Sequence, residues 1–300
     1  MSTGERVGVV GLGNIGRAIA ANLVADGYHV SVYDLDQNRV QSLVGAGARA
    51  AANAAQVGER SAVTFLSLPT PSAMEAVADE WLAGAARGAI LVDLTTNAPV
   101  VVERVGARLA AAGRHLLECP LTGGAPGAQA RMLVFMVGGE PVVYERVRPL
   151  LAKLGRASFH MGGLGLGNVA KLVNSLIAFQ ATWGTLEVLA VAAKVGIDLR
   201  TMIDVIRAGG AGNVFTERMV EGLNQRQRPT QFALGLAAKD AGLFVDLARQ
   251  AGVPVPVSAQ VAQALVAAVA AGLAERDFTD LVEVVERAAG VKLVLAPPRT

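Results

Sequence analysis

Four short stretches of the chain hold residues whose types and spacing could do chemistry. Gly11-Leu12-Gly13-Asn14-Ile15-Gly16 follows the apolar run Val7 to Val10 and opens a helical pattern reaching about Val24. Glycines in that order permit a tight turn, close approach of the backbone to a pyrophosphate, and close packing of helix on strand. The start of the helix then offers unpaired amide donors to the phosphates. The string alone is a weak signal, and the strand before it with the helix behind it make it a dinucleotide site. Asp34, in Val32-Tyr33-Asp34-Leu35-Asp36, stands near the separation of about 20 residues expected of a ribose-binding acid. A carboxylate there would accept from the ribose hydroxyls and repel a 2'-phosphate, which predicts NAD over NADP. The same residue could instead cap a helix, and the nearby Arg39 leaves NADP open.

The third stretch is Thr122-Gly123-Gly124, a hydroxyl followed by two residues with nothing beyond Cα. Its exposed backbone amides could hold a carboxylate, although an ordinary turn leaving a strand has the same composition. The fourth is Lys171, in the first turns of the most apolar helical pattern of the chain, Asn168 to Lys194, where Glu187 is the other charge before the end. Desolvation and the positive end of the helix would both disfavour its charged form and move it toward proton transfer. The alternative is a lysine whose ammonium reaches water at the helix start. Asn174 shares its helix face three residues on, with Ser175 beside it.

The elements that must position these residues show in the pattern. Arg6 to Val10, His29 to Tyr33, Ala62 to Leu68, Ile90 to Leu94, His115 to Glu118 and Met132 to Val137 read as strands separated by helical stretches. This is an α/β rhythm, a Rossmann-type doubly wound parallel sheet. After the glycine cluster Gly162, Gly163, Gly165, Gly167 the pattern is helical throughout. The expected division is therefore a dinucleotide-binding domain over 1–163 and an all-α domain over 164–300, with Gly196 as a helix stop, Asp198 as an N-cap and a frayed tail at Pro297-Pro298. A helix apolar on nearly every side, such as 168–194, is expected to be buried on nearly every side.

Composition sets the outer bounds. Apolar residues make up 52% of the 300 and charged residues 17%, which excludes a disordered chain. The net charge of +2 and the lack of basic runs argue against a nucleic-acid partner. A mean hydropathy of +0.43 raises the membrane question. The longest uncharged stretch, Ala251 to Ala274, is interrupted by Pro254, Pro256, Gln260 and Gln263, so it reads as a buried helix. The one cysteine, Cys119, is expected to be a packing residue in a reducing, cytoplasmic compartment. His29, His115 and His160 match no metal-ligand spacing, so no metal is expected.

Further motifs give the chain a resemblance to the β-hydroxyacid dehydrogenase family, which includes 3-hydroxyisobutyrate dehydrogenase and, more distantly, 6-phosphogluconate dehydrogenase. Leu68-Pro69 is similar to a pair that follows a strand in the family. Asp93-Leu94-Thr95-Thr96 looks like its D-x-S-T stretch, which makes Thr95 a cofactor contact. Glu118-Cys119-Pro120-Leu121-Thr122-Gly123-Gly124 resembles its substrate signature D-x-P-V-S-G-G, with threonine in place of serine. Gly165-Leu166-Gly167-Asn168-Val169-Ala170-Lys171-Leu172-Val173-Asn174 resembles G-x-G-x-x-x-K-x-x-N, whose lysine is the family's acid/base. Ser175 replaces an asparagine that many relatives use on the substrate. Phe232 and Lys239-Asp240 stand where the family closes over cofactor and substrate, although on residue type alone the last two read as a surface ion pair. Arg131 stands where many relatives have glycine, either as a cation for a second anionic group or as a solvated strand-end residue.

The resemblance implies hydride transfer between NAD, or NADP, and a small anionic 3-hydroxy acid such as 3-hydroxyisobutyrate, or the corresponding semialdehyde. It implies a homodimer or homotetramer; that no membrane is expected follows from the interrupted apolar stretch above. Two rivals remain at this level: an NADPH-dependent imine reductase, whose class usually has aspartate or tyrosine at the position of Lys171, and a non-catalytic NAD-binding sensor.

Overall fold

A computed structural model describes residues 5–225 and 229–295; the tail at Pro297-Pro298 lies outside them. The chain divides into two compact units, Met1–Leu172 and Val173–Thr300, and the division falls inside a helix, beyond the glycine cluster.

The first unit is built on a sheet of nine strands among the described residues: β1 Arg6–Val10, β2 His29–Tyr33, β3 Arg49–Ala50, β4 Val63–Leu66, β5 Ile90–Asp93, β6 His115–Glu118, β7 Leu121–Thr122, β8 Leu133–Gly138 and β9 Gly155–Gly162. Their order is β3-β2-β1-β4-β5-β6-β8-β7, with β9 on the outer side of β8. From β3 to β6 every pairing is parallel. Beyond β6 the sheet turns mixed, since β8 runs antiparallel to β6 and β7 and parallel to β9. The expected doubly wound sheet is thus extended by strands that the apolar pattern does not announce. β7 is two residues long, and β9, Gly-Arg-Ala-Ser-Phe-His-Met-Gly, is a half-exposed edge with little to bury.

Burial explains the run-on apolar strands of this unit. Val7, Val9, Ile90 and Val92 face one core, while Val10, Leu66 and Leu91 face another on the opposite side of the sheet. Alternate side chains point to opposite faces, so a sheet covered on both faces needs apolar residues at consecutive positions. The covering helices are α1 Asn14–Ala25, α2 Gln37–Val44, α3 Ala54–Arg60, α4 Pro71–Gly84, α5 Pro99–Ala111, α6 Gly124–Gln129 and α7 Pro141–Leu154.

Helix α8, Leu166–Lys194, runs on into the second unit. There it is joined by α9 Leu199–Ala208, α10 Val214–Asn224, α11 Leu234–Gln250, α12 Pro256–Ala268 and α13 Val282–Ala289. Gly196 takes φ +91° behind α8, and the Asp198 side chain accepts from Thr201 N, so the stop and the cap are where the sequence puts them. The core gathers Phe179, Leu186, Leu189, Leu234, Ala237, Ala241 and Leu265. α8 itself corrects an expectation. Val173, Ile177, Val188 and Val191 are 44–65% exposed along one stripe, so this chain covers only part of the helix. By length and composition α8 and Pro256–Leu273 could each cross a membrane; residues of both join the helical core, but Val257 and Val266 are exposed, so the second helix too is only partly buried, not buried as expected.

Candidate active site

The residues singled out for nucleotide binding follow the carboxyl ends of the parallel strands, which is where open α/β sheets bind their ligands. Gly11 leaves β1 with φ +86°, and a Cβ there would lie 2.3 Å from Ser67 O. A Cβ on Gly16 would lie 1.9 Å from Gly11 O, so the third glycine is needed for α1 to sit on the turn. A Cβ on Gly13 would meet nothing within 4 Å. That open side, with no side chain capping the start of α1, leaves Asn14 and Ile15 to present amides to a phosphate. The cradle therefore fits a dinucleotide.

Asp34 follows β2 and resolves one of the open readings. Asp36, not Asp34, caps α2, accepting from Asn38 N at 3.0 Å. The Asp34 carboxylate takes Leu12 N at 2.6 Å and Asp36 N at 2.8 Å, with Arg39 at 3.8 Å. A carboxylate has about four acceptor positions, so two hydrogen bonds leave capacity for ribose hydroxyls. Leu68 and the exposed Pro69 follow β4, and Leu68 N donates to Oγ1 of the buried Thr95, which follows β5, at 3.2 Å.

Beyond β6, Thr122 ends β7 and is followed by Gly123 at φ +119° and Gly124 at φ +61°. Two successive residues in that region require glycine, and all three are half-buried. The start of α8 is tied to the end of β6, because Glu118 accepts from Gly167 N at 3.0 Å and Asn168 N at 3.2 Å. Lys171 follows within the next turn and is half-buried; Asn174 comes three residues later on the same helix, half-buried, and Ser175 is buried.

In the second unit, Phe232 belongs to an aromatic cluster, with its ring 6.2 Å from those of both Phe179 and Phe278. Lys239 Nζ lies 2.9 Å from Asp240 Oδ1. Asp240 is buried, so the pair is not the surface ion pair that residue types alone suggest.

A family described as the NAD binding domain of 6-phosphogluconate dehydrogenase matches residues 6–163, and one described as NAD-binding of NADP-dependent 3-hydroxyisobutyrate dehydrogenase matches residues 165–285. The chain belongs to the β-hydroxyacid dehydrogenase family. Its members are oxidoreductases that act on CH–OH groups with NAD or NADP. The chain is 29% identical to a 2-(hydroxymethyl)glutarate dehydrogenase of Eubacterium barkeri, over 98% of this chain and 99% of that one. It is 31% identical to an NAD-dependent L-serine dehydrogenase of Pseudomonas aeruginosa, over 92% and 96%. A solved Mycobacterium tuberculosis 3-hydroxyisobutyrate dehydrogenase with L-serine superposes with a TM-score of 0.87 at 26% identity, covering 94% and 99%.

Two residues of this β-hydroxyacid dehydrogenase, Arg131 and Cys119, can now be placed. Arg131 has φ +59° and pairs with Asp26 at 2.7 Å and Asn22 O at 3.2 Å, which joins the turn before β8 to the end of α1. Its side chain is partly exposed and its guanidinium is engaged by Asp26. Asp26 is held below the usual carboxylate range by that arginine. Cys119 is fully buried, and desolvation pushes its thiol up, as a packing role implies. Sequence reasoning passed over the burial of four polar residues, Asp93, Asn97, Glu118 and Asn168, all fully buried. Burial pushes Asp93 up to about 7, against the hydrogen bonds of Thr95 and Asn97 and with help from Glu118. Burial also raises Glu118, opposed by Asn168 and by the amides of the α8 start. The available signal was an acid closing each of two apolar strands, Ile-Leu-Val-Asp and His-Leu-Leu-Glu.

Proposed function

We propose that this dehydrogenase prefers NAD and oxidises a small 3-hydroxy acid, or reduces its semialdehyde, with Lys171 as general acid/base. The observation carrying the reading is that one edge of one sheet holds the glycine cradle, Asp34, Thr95, the Thr122-Gly123-Gly124 turn and, through Glu118, the start of α8. When bound, the nicotinamide supplies acceptance of a hydride, or its donation in reverse. Thr122, Gly123 and Gly124 hold the substrate carboxylate through the hydroxyl and backbone amides. In oxidation Lys171 is neutral and takes the hydroxyl proton as the carbonyl forms; in reduction its ammonium returns a proton to the carbonyl oxygen. Asn174 and Ser175 orient that oxygen, while Phe232, Lys239 and Asp240 are assigned to substrate and cofactor closure.

The substrates named for the three relatives share one grouping, a CH2OH on the carbon that bears the carboxylate side. The deciding experiment is therefore a panel of 3-hydroxyisobutyrate, L-serine, 2-(hydroxymethyl)glutarate and 3-hydroxypropionate with NAD at alkaline pH, read by NADH absorbance. Turnover of at least one is expected, with a higher kcat/KM for NAD than for NADP. Tight NAD binding without turnover would make the chain a sensor, and reduction of a cyclic imine with NADPH would make it an imine reductase. Lys171→Ala should lower kcat by ~100- to 10,000-fold, the range of general acid/base catalysis, with NAD binding kept. Near-normal turnover would remove the acid/base assignment.

The exposed stripe of α8 is proposed to be covered by a second copy in a homodimer or homotetramer, and the single buried thiol favours a cytoplasmic setting.

A further inference from the structure

Leu68 and Thr95, which the proposed function assigns to the cofactor, are joined to the start of α8, the helix that carries Lys171, by a continuous run of hydrogen bonds that is buried from Thr95 onward. Leu68 N donates to Thr95 Oγ1 at 3.2 Å, and Thr95 N donates to Asp93 Oδ1 at 3.0 Å. Asn97 Nδ2 donates to Asp93 Oδ2 at 2.6 Å, and Asn97 N donates to Asn168 Oδ1 at 2.7 Å. Asn168 Nδ2 then donates to Glu118 Oε2, while Glu118 Oε1 accepts from Gly167 N. Asp93 and Glu118 are register partners on β5 and β6, so both acids leave neighbouring strands at the same height.

The backbone is shaped around this run. A Cβ on Gly138 would lie 2.1 Å from Glu118 Oε1, and one on Gly167 would lie 2.7 Å from Met136 O and 3.2 Å from the Glu118 carboxyl carbon. Room for one carboxylate is therefore built from glycines on two separate elements. Burying two acids side by side is costly, and an apolar pair would fill the same place on the sheet. What the acids add is a fixed connection between the Thr95 loop and the first turn of α8.

We propose that Asp93, Asn97, Asn168 and Glu118 are positioning residues that lock the Thr95 loop to the start of α8, holding the cofactor contacts and Lys171 at one separation. The proposal rests on Lys171 being the acid/base. Asn168 links the two halves of the run through its side chain, so its replacement is the most direct test. A misplacement of about 1 Å can cost ~100-fold in rate. Asn168→Ala should accordingly lower kcat by ~10- to 100-fold with 3-hydroxyisobutyrate or L-serine and NAD, with a much smaller change in KM. In the coenzyme-free protein, the Leu68 and Thr95 amides, which Asn168 does not touch, should lose hydrogen-exchange protection by about 10-fold.

Asn168→Asp keeps the size and the acceptor for Asn97 N but sets a carboxyl against Glu118. Its kcat should recover as pH falls and the two share a proton, adding an ionisation to the profile that the parent lacks. Asp93, Cys119, Glu103 of α5 and Lys171 are the other ionisable groups around this place, and all are common to both proteins. Should Asn168→Ala fail to fold, this near-isosteric variant carries the test. A parent-like pH profile, or a change in exchange confined to Asn97 and α8, would overturn the proposal. Lys171→Ala measured alongside separates the two ideas. If it retains turnover, the acid/base reading falls, and the exchange at Leu68 and Thr95 still decides the lock.

Discussion

Three buried acids of the helical unit and two of the sheet unit are held differently, although Asp277 in the helical unit also takes backbone N–H groups and the Thr279 hydroxyl. In the helical unit Asp240, Asp280 and Glu286 each meet a cation, Lys239 at 2.9 Å, Arg276 at 2.7 Å and Lys292 at 2.9 Å. In the sheet unit the hydrogen bonds described on Asp93 and Glu118 come from backbone N–H groups, asparagine amides and Thr95. Amides satisfy the oxygens but bring less opposing charge, so desolvation wins and both acids move upward. An acid paired with a cation serves as a structural tie. Asp93, held by amides and pushed up to about 7, can change protonation near neutral pH, and it precedes Thr95 of the proposed site.

The largest expected break in this contrast is a pH dependence. Asp93 is raised from 3.8 to about 7, so the folded protein holds this proton more tightly than the unfolded chain. Its stabilising effect is complete below pH 3.8 and is lost as pH rises to about 7. That range corresponds to about 4 kcal/mol at 1.36 kcal/mol per pH unit. Denaturant titrations at pH 5 and pH 8 should show Asp93→Asn losing less stability across the interval than the parent; equal losses would contradict the assignment. Lys239→Met attacks the other kind of acid. Removing a partner from a buried pair costs ~3–5 kcal/mol, and because Lys239 is 21% exposed the low end, about 3 kcal/mol, is expected in chemical unfolding.

Gly16→Ala leaves both kinds of acid alone and strains the cradle. Overpacking costs ~1–3 kcal/mol, so NADH should bind ~10- to 100-fold more weakly in a fluorescence titration. The smallest effect is expected of Arg131→Gly. Glycine relieves a positive φ worth of order 1 kcal/mol, while the lost, partly exposed Asp26 pair is worth ~0–1 kcal/mol. Thermal unfolding should place the variant within about 1 kcal/mol of the parent, and a larger loss would show that Arg131 does more than join α1 to β8.

The sequence carried the parallel half of the sheet well, because strands covered on both faces are written as continuous apolar runs. It did not carry β3, β7 or β9, since two residues have no period and a half-exposed edge has no apolar face to reveal. The glycine turns were legible for a local reason: their backbone shape depends on neighbours within a few positions. Asn97 and Asn168 were not, because short polar residues near Pro99 and at a helix start have ordinary uses as turns and caps. Only their burial beside two acids brought in by separate strands gives them another meaning. α8 misled for a related reason, because an apolar pattern on every side of a helix does not show how much of it this chain's own core covers.

Cys119, the residue after Glu118, has its own use. Its thiol is fully buried, pushed away from ionisation, and the one cysteine in the chain. An alkylating reagent can reach it only when the end of β6 opens, so the labelling rate of the native protein is a clock for the breathing of the sheet edge beneath the site. Slower labelling with NADH bound would show that this edge tightens around the coenzyme, with no probe introduced and no residue changed.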